Sequence, residues 1–232
     1  MNLKGKTVKV VIPAFNEEKS IGKVIQGIPD WVAEVVVVDN NSTDATFAVI
    51  QANGATALKE PRQGYGSACL RGIQYLKETQ APDILVFMDA DHSDHPDDMP
   101  ALLQPILNQE ADMVIGSRAL GEREKGSMTL PQIFGNWLAT KLMKWIYGVE
   151  FTDLGPFRAL PFQKLLDLNM EDPDYGWTVE MQVKAAKKKY KSIEVPVQYR
   201  RRIGVSKVSG TLKGTLMAGY KILFTVFKYA LK

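Results

Sequence analysis

The chain holds a single cysteine, Cys69, among its 232 residues. That excludes a disulfide framework and any cysteine-built metal site, and it points to a reducing compartment. No uninterrupted apolar run approaches the roughly 20 residues a bilayer-spanning helix needs, and the opening MNLKGKTVKVVIP lacks an apolar stretch of secretory-signal length. A cytoplasmic location is expected, with contact at a membrane face left open. Neither a repeat at fixed period nor a Gly/Ser/Pro-rich linker is present. A net charge of +3 is too small to argue for nucleic acid, so none is expected as a partner.

The charge that is present is uneven, with acid gathered around residues 89–98 and base around 184–213. This asymmetry suggests an anionic ligand or surface on the basic side. The first 120 residues alternate apolar β-branched runs with helical patterns. Strands are expected at 8–13, 34–39, 84–89 and 112–117, with a weaker one at 55–58, and helices at 17–28, 44–53, 66–79 and 97–109. Strands buried on both faces, with helices between them, imply an α/β fold with a mainly parallel sheet. In such sheets ligands bind beyond the carboxyl ends of the strands. Those ends are Pro13-Ala-Phe-Asn-Glu17, Asp39-Asn-Asn-Ser-Thr-Asp44, Asp89-Ala-Asp91 and Gly116-Ser-Arg118, and they would share one crevice. Beyond 120 we expect a helical segment at 130–148, a turn over FTDLGPFRAL (151–160), a helix at 177–189, a strand at 192–199 and a last helix from about 207 to 230.

Asp89 and Asp91, two apart on an extended chain, point the same way. Two such carboxylates repel unless a cation or proton is shared, and a hard divalent ion that also takes substrate phosphates would resolve the conflict. The other reading of the tripeptide is an acidic turn capping the next helix, and His92 and His95 read as metal ligands or as polar loop residues. Asp39 is placed to accept from a ribose or base, or to cap the 40–44 turn. Phe15, Asn16 and Glu17 enter a helix where a base could pack on the ring. Arg62-Gln-Gly64-Tyr-Gly-Ser-Ala68 suits close backbone approach or anion contact. Tyr199-Arg-Arg-Arg-Ile-Gly-Val-Ser-Lys207 has four cations in nine residues, and arginine's planar fork suits phosphate oxygens.

Taken in order, these motifs resemble glycosyltransferase family 2, and within it the polyprenyl- and dolichyl-phosphate sugar (mannose or glucose) synthases. The likeness rests on Pro13-Ala-Phe-Asn-Glu17, Asp39-Asn-Asn-Ser-Thr-Asp44, Gly64-Tyr-Gly, Asp89-Ala-Asp91 with His95-Pro96, Gly116-Ser-Arg118, and Ser206-Lys207 after the arginines. It implies a Rossmann-like glycosyltransferase A fold, an inverting transfer from a UDP- or GDP-linked sugar, and Mg²⁺ or Mn²⁺ as cofactor. By matching position, Pro13, Phe15, Glu17 and Asp39 would hold the nucleoside, with Gly64 beside it. Asp89 and Asp91 would bind metal and diphosphate, Arg118 would face an acceptor phosphate, and Arg201 or Arg202 with Ser206 and Lys207 would close on the donor. The likeness divides the chain into a catalytic domain at 1–210, with a nucleotide-sugar half to about 120 and an acceptor half from 121, and a helix at 211–232. The chain departs from the pattern at His92-Ser93, at Asp39-Asn-Asn, at Asp153-Leu-Gly-Pro-Phe-Arg158, and in lacking the transmembrane helices of many relatives.

A hydroxyl acceptor would need a general base, and Asp153 and Glu180 are the candidates. A phosphate acceptor is already an anion, and Arg118 with Arg158 would orient it. A lipid-phosphate acceptor is the preferred expectation. A soluble or glycolipid hydroxyl comes second, and a non-catalytic nucleotide-sugar-binding protein is a third reading from another class. On a helical wheel Lys213, Lys221, Lys228 and Lys232 fall within about 100°, opposite Leu216, Ile222, Leu223, Val226 and Phe227. Such a helix suits a membrane interface or packing on protein, and the segment with Trp137, Lys141, Lys144 and Trp145 has a similar character.

Overall fold

The computed structural model describes residues 1–204 and 212–230, and in the last helix the side chains from 217 onward. Seven strands form one sheet in the order β3-β2-β1-β4-β6-β5-β7. They are β1 (Val8–Ala14), β2 (Glu34–Asp39), β3 (Thr56–Lys59), β4 (Ile84–Phe87), β5 (Met113–Ser117), β6 (Arg158–Pro161) and β7 (Ser192–Pro196). All pairings are parallel except those of β6, which runs antiparallel between β4 and β5. The mainly parallel α/β sheet is therefore as expected, and β6 is the departure. Its four residues, RALP, begin with a charge and end in proline, so no apolar period marks them within the segment read as a turn.

Period-two alternation divides the core into two layers. Val11, Val36, Val38, Leu85, Phe87, Met113 and Ile115 pack against α3 (Tyr65–Glu78), α5 (Leu130–Tyr147), α6 (Phe162–Leu168), α7 (Trp177–Lys187) and α8 (Leu212–Ala230). Val8, Val10, Ile12, Val37, Ile84, Val86 and Val114 face α1 (Ile21–Gly27), α2 (Thr46–Ala52) and α4 (Met99–Leu107). Each such fully buried side chain contributes about 1.5–3 kcal/mol relative to exposure, so the strand register is strongly specified. A one-residue slip would carry every valine to the wrong layer.

The helix expected from 17 begins only at Ile21. Asn16 has φ +53°, and its backbone N donates to Ser42 Oγ (2.9 Å) while its Oδ1 accepts from Thr43 N (2.8 Å). The β1–α1 and β2–α2 loops are thereby stitched together at the sheet's carboxyl end. In the last helix the expected polarity holds in part: Val226 is buried and Ile222 packs on the core, but the lysine face is not left to solvent. Lys221 pairs with Asp172 at 3.3 Å and Lys228 with Glu171 at 3.8 Å, while Met217, Tyr220, Phe224 and Phe227 stand exposed. The basic face is turned toward the chain's own acidic loop. Lys213, Leu216 and Lys232 lie outside the described side chains. Among the described residues no helix is long and apolar enough to cross a membrane.

Candidate active site

Beyond the carboxyl ends of β1, β2 and β4 lies a cavity of about 390 Å³. Pro13, Ala14, Phe15 and Glu17 form one wall, Gln63, Gly64 and Tyr65 another, and Asp89, Ala90 and Asp91 the floor, with Asp174, Tyr175 and Arg202 opposite. Asn40 pins the second wall: its Nδ2 donates to the carbonyls of Glu60 (3.1 Å) and Arg62 (2.8 Å), and its Oδ1 accepts from Gly64 N (2.7 Å). Gly64 sits at φ +142°, where a Cβ would lie 2.1 Å from Pro173 O, and at Gly66 one would lie 1.9 Å from Asp172 O. The glycines thus admit the chain's own 172–173 loop against the first turn of α3.

The acidic turn after β4 is crowded. Asp91 Oδ1 accepts from Ser93 N (2.9 Å), and its Oδ2 pairs with Arg202 Nη1 (3.1 Å), whose Nη2 reaches Glu17 Oε1 (2.6 Å). Asp89 Oδ1 accepts from the Tyr65 hydroxyl (3.1 Å). Burial and then the Asp91 charge push the Asp89 carboxyl up to about 7. Asp94 is 1% exposed, with one oxygen accepting from Asp89 N (3.1 Å) and the other buried without a hydrogen-bond partner among the described residues. Burial, then the Asp89 charge, push it well above the carboxylate range. Arg200 braces the turn from behind through the carbonyls of His92 and Asp94.

Three carboxylates share one turn, with Arg202 paired to Asp91 and Arg118 near enough to lower Asp89 and Asp94, and burial and mutual repulsion still leave Asp89 and Asp94 raised, which suits a cation supplied from outside. Their donors are all oxygens, which matches a hard divalent ion. Asp89 and Asp91 are the two that face the cavity, and among the described residues no cluster of three acidic, His or Cys side chains forms a self-sufficient metal cage. A cation there would be shared with a ligand's own oxygens, as Mg²⁺ commonly is with phosphates.

A second cavity, of about 300 Å³, adjoins the first across Tyr65, Asp89, Asp91, Tyr175 and Arg202. Apolar side chains of Met128, Pro131, Leu154, Pro156, Trp177 and Ile222 line it, so α5, α7 and α8 all contribute. At its edge Arg118 is held by Asp153 in a two-pronged pair, Nε to Oδ2 at 2.8 Å and Nη2 to Oδ1 at 2.7 Å, and lies over the Tyr199 ring at 5.1 Å.

The family model for glycosyl transferase family 2 matches residues 9–168. This chain belongs to glycosyltransferase family 2. It is a glycosyltransferase, and its similarity to relatives extends past the matched segment. An uncharacterised glycosyltransferase of Mycobacterium tuberculosis is 36% identical over 222 residues, covering 92% of this chain and 95% of that protein. The undecaprenyl-phosphate mannosyltransferase of Micrococcus luteus is 30% identical over 220 residues, covering 89% of each. Among solved structures, glucosyl-3-phosphoglycerate synthase from M. tuberculosis, in complex with Mn²⁺, UDP-glucose and phosphoglyceric acid, superposes with a TM-score of 0.76 at 24% identity over 98% of this chain and 80% of its own. The fold is glycosyltransferase A.

For a family 2 transferase, the sequence-expected residues separate sharply. Pro13, Phe15, Glu17, Gly64, Asp89, Asp91 and Arg202 meet at the first cavity. Asp39 lies just behind, 4% exposed, accepting from Ser42 N at 3.3 Å as a turn cap. Arg201 is turned away, its Nε donating to Lys125 O (2.7 Å). Arg158 is fully buried and spends its guanidinium on the carbonyls of Leu154, Gly155 and Thr178. Burial lowers its pKa to about 10. Glu180, also fully buried, accepts from the backbone N of Glu171 and Asp172, from Tyr229 and from Lys184. Neither lines either cavity, so the acceptor-orienting and base roles expected for them have no geometric support. Ser206 and Lys207 lie outside the described residues. Sequence reasoning missed Asn40, Tyr65, Asp94, Tyr175 and Tyr199. Only Tyr65 had a signal, between two glycines at a helix entry.

Proposed function

We propose that this family 2 enzyme is an inverting transferase. It moves a hexose from a UDP- or GDP-linked sugar to a lipid phosphate of the polyprenyl class, at the cytoplasmic face of a membrane. The donor occupies the first cavity, with its base near Phe15 and its diphosphate over Asp89 and Asp91. Those two carboxylates would hold Mg²⁺ or Mn²⁺, which when bound would supply countercharge for the diphosphate. Arg202 adds a second positive charge at the same place. The acceptor's phosphate oxygen attacks the anomeric carbon from the second cavity, and the bond to the diphosphate breaks with its electron pair leaving on the nucleotide.

The observation that carries the acceptor reading is that both candidate bases are consumed. Asp153 is locked on Arg118, and Glu180 is enclosed in four bonds. An acceptor that is already an anion needs neither. The apolar lining of the second cavity supports a lipid, as do the exposed Leu130, Phe134 and Trp137 of α5 and the exposed Met217 and Tyr220 of α8. So does the polyprenyl-phosphate acceptor in the name of the Micrococcus relative.

The test is nucleoside diphosphate release from a panel of UDP- and GDP-sugars with Mn²⁺ or Mg²⁺. Parallel reactions contain a short polyprenyl phosphate, 3-phosphoglycerate or no acceptor, and Asp91→Ala is compared with wild type. Release from one donor that requires the lipid phosphate and Asp91 is the expected result. Release that requires the soluble acceptor instead would replace the lipid reading, and donor binding without turnover under any condition would favour a binding protein.

A further inference from the structure

The C-terminal helix reads from sequence as an appendage, yet it reaches the donor cavity through an unbroken run of contacts. The Tyr229 hydroxyl donates to Glu180 Oε1 (2.7 Å). Glu180 in turn accepts from the backbone N of Glu171 (2.9 Å) and Asp172 (2.7 Å), fixing the start of the loop between α6 and α7. Lys221 Nζ lies 3.3 Å from Asp172 Oδ2, and Asp172 Oδ1 accepts from Asp174 N (2.8 Å). That turn presents Asp174 and Tyr175 to the first cavity. On the loop's far side Pro173 O accepts from Ser67 N (2.7 Å) and Oγ (3.1 Å), in the same helical turn as Tyr65, the residue bonded to Asp89.

The approach is close, with Gly176 at its centre. A Cβ on Gly176 would stand 2.5 Å from Thr225 Oγ1 of α8 and 2.4 Å from Asp172 Oδ2. Glu180 is enclosed, so its geometry is set by its partners, and Tyr229 is the partner that α8 contributes.

We propose that α8 is a structural part of the donor site, with Tyr229 and Lys221 as positioning residues. Through Glu180 and Asp172 they hold the 169–176 loop in the form that gives the nucleotide sugar its outer wall. The inference rests on the first cavity being the donor site. It assigns to the helix a role in donor affinity that does not depend on the acceptor.

The experiment is calorimetric titration of the full chain with UDP-glucose and with GDP-mannose, each in Mn²⁺, without acceptor. For whichever donor binds the wild type, Tyr229→Phe should weaken binding about three- to tenfold and Lys221→Gln about two- to fivefold, the scale of one lost charged hydrogen bond spread over a loop. Lys221 is partly exposed, so its variant keeps the test available if Tyr229→Phe folds poorly. The control is Tyr147→Phe, which removes the α5 hydroxyl that donates to Val226 O elsewhere on α8. It should lower Tm while changing donor Kd by less than about twofold. Unchanged donor Kd in both Tyr229→Phe and Lys221→Gln would overturn the inference and leave the donor reading standing. An equal loss in Tyr147→Phe would also overturn it, because general loosening of the helix would then explain the effect. A wild type that binds neither donor would bring down the donor reading, and the inference with it.

Discussion

Two groups of three carboxylates, one at each end of the sheet, are treated in opposite ways. At the amino ends Glu34, Asp83 and Asp112 are each answered. Glu34 meets Lys9 Nζ at 2.7 Å with Thr56 and Tyr75 alongside, Asp83 accepts from Lys6 and Thr7, and Asp112 meets Lys164 at 3.1 Å. All three carboxyls are lowered from their ordinary range. At the carboxyl ends Asp89, Asp91 and Asp94 crowd one turn, two of them are raised, and one buried oxygen has no hydrogen-bond partner among the described residues. Acid at one end is neutralised by the fold. At the other it is left short of positive charge by the protein itself, which is how a site for an external cation and an anionic ligand differs from an edge built for stability.

The sharpest way to break this contrast is to neutralise one carboxylate at each end. Asp89→Asn should reduce metal-dependent nucleoside diphosphate release by about a thousandfold, the scale of losing a preorganised charge at the reacting centre. Its Tm should hold or rise, because a buried, repelled charge is gone. Asp83→Asn should do the reverse, leaving turnover per folded molecule unchanged and lowering Tm. Equal kinetic effects at both ends, with Tm matched by circular dichroism, would erase the distinction.

A smaller effect is expected from the cations. Arg202 spans Asp91 and Glu17, so Arg202→Gln should cut turnover about 10- to 100-fold through lost charge on the leaving diphosphate. Lys9, 3% exposed, touches Glu34 and Gln80 O at the far end. Lys9→Gln should cost about 1–3 kcal/mol of stability in urea melts, the price of a buried partner left short. Turnover among the molecules still folded should not change. Loss of activity in Lys9→Gln at full folding would mean that the amino-end pairs also serve the site.

The contrast also explains which parts were legible beforehand. Strand ends of a parallel sheet converge by topology, so Pro13, Phe15, Glu17, Asp89 and Asp91 could be assembled from apolar periods alone. Arg158 and Glu180 could not be placed, because a charged residue carries no mark of which side of its loop it faces. Both turned inward to satisfy backbone groups. β6 stayed hidden because four residues between two partners need no pattern of their own. Asn40 and Tyr175 shape the first cavity by hydrogen bonding and bulk, which leaves no signature in charge or hydrophobic period. The lysines of α8 read as a basic face suited to a membrane interface or to packing on protein, and Lys221 and Lys228 turned to an acidic loop that is remote in sequence.

A last expected effect is the dependence of stability on pH, and there the two ends should pull in opposite directions. Asp83 is lowered first by its bond from Thr7 N and then by Lys6; in Glu34 and Asp112 burial raises the carboxyl and is outweighed by the bonds each accepts. A folded pKa below the unfolded one means stability that is present above the ordinary carboxylate range and lost as pH falls through it. Asp89, raised to about 7, does the opposite. The folded chain keeps a proton that the unfolded chain releases above about 4, so its contribution is full below that pH and declines as pH climbs toward 7. Urea melts of the metal-free protein should therefore show an acid limb below about pH 4, flattened in Asp83→Asn, and a decline above about pH 4, to which the raised Asp94 adds and which is reduced in Asp89→Asn. Because Asp83 is partly exposed, its limb should shift by less than about 1 kcal/mol. If Asp89→Asn left the neutral limb untouched, the carboxyl-end cluster would already be neutralised within the fold, and the difference between the two ends would disappear.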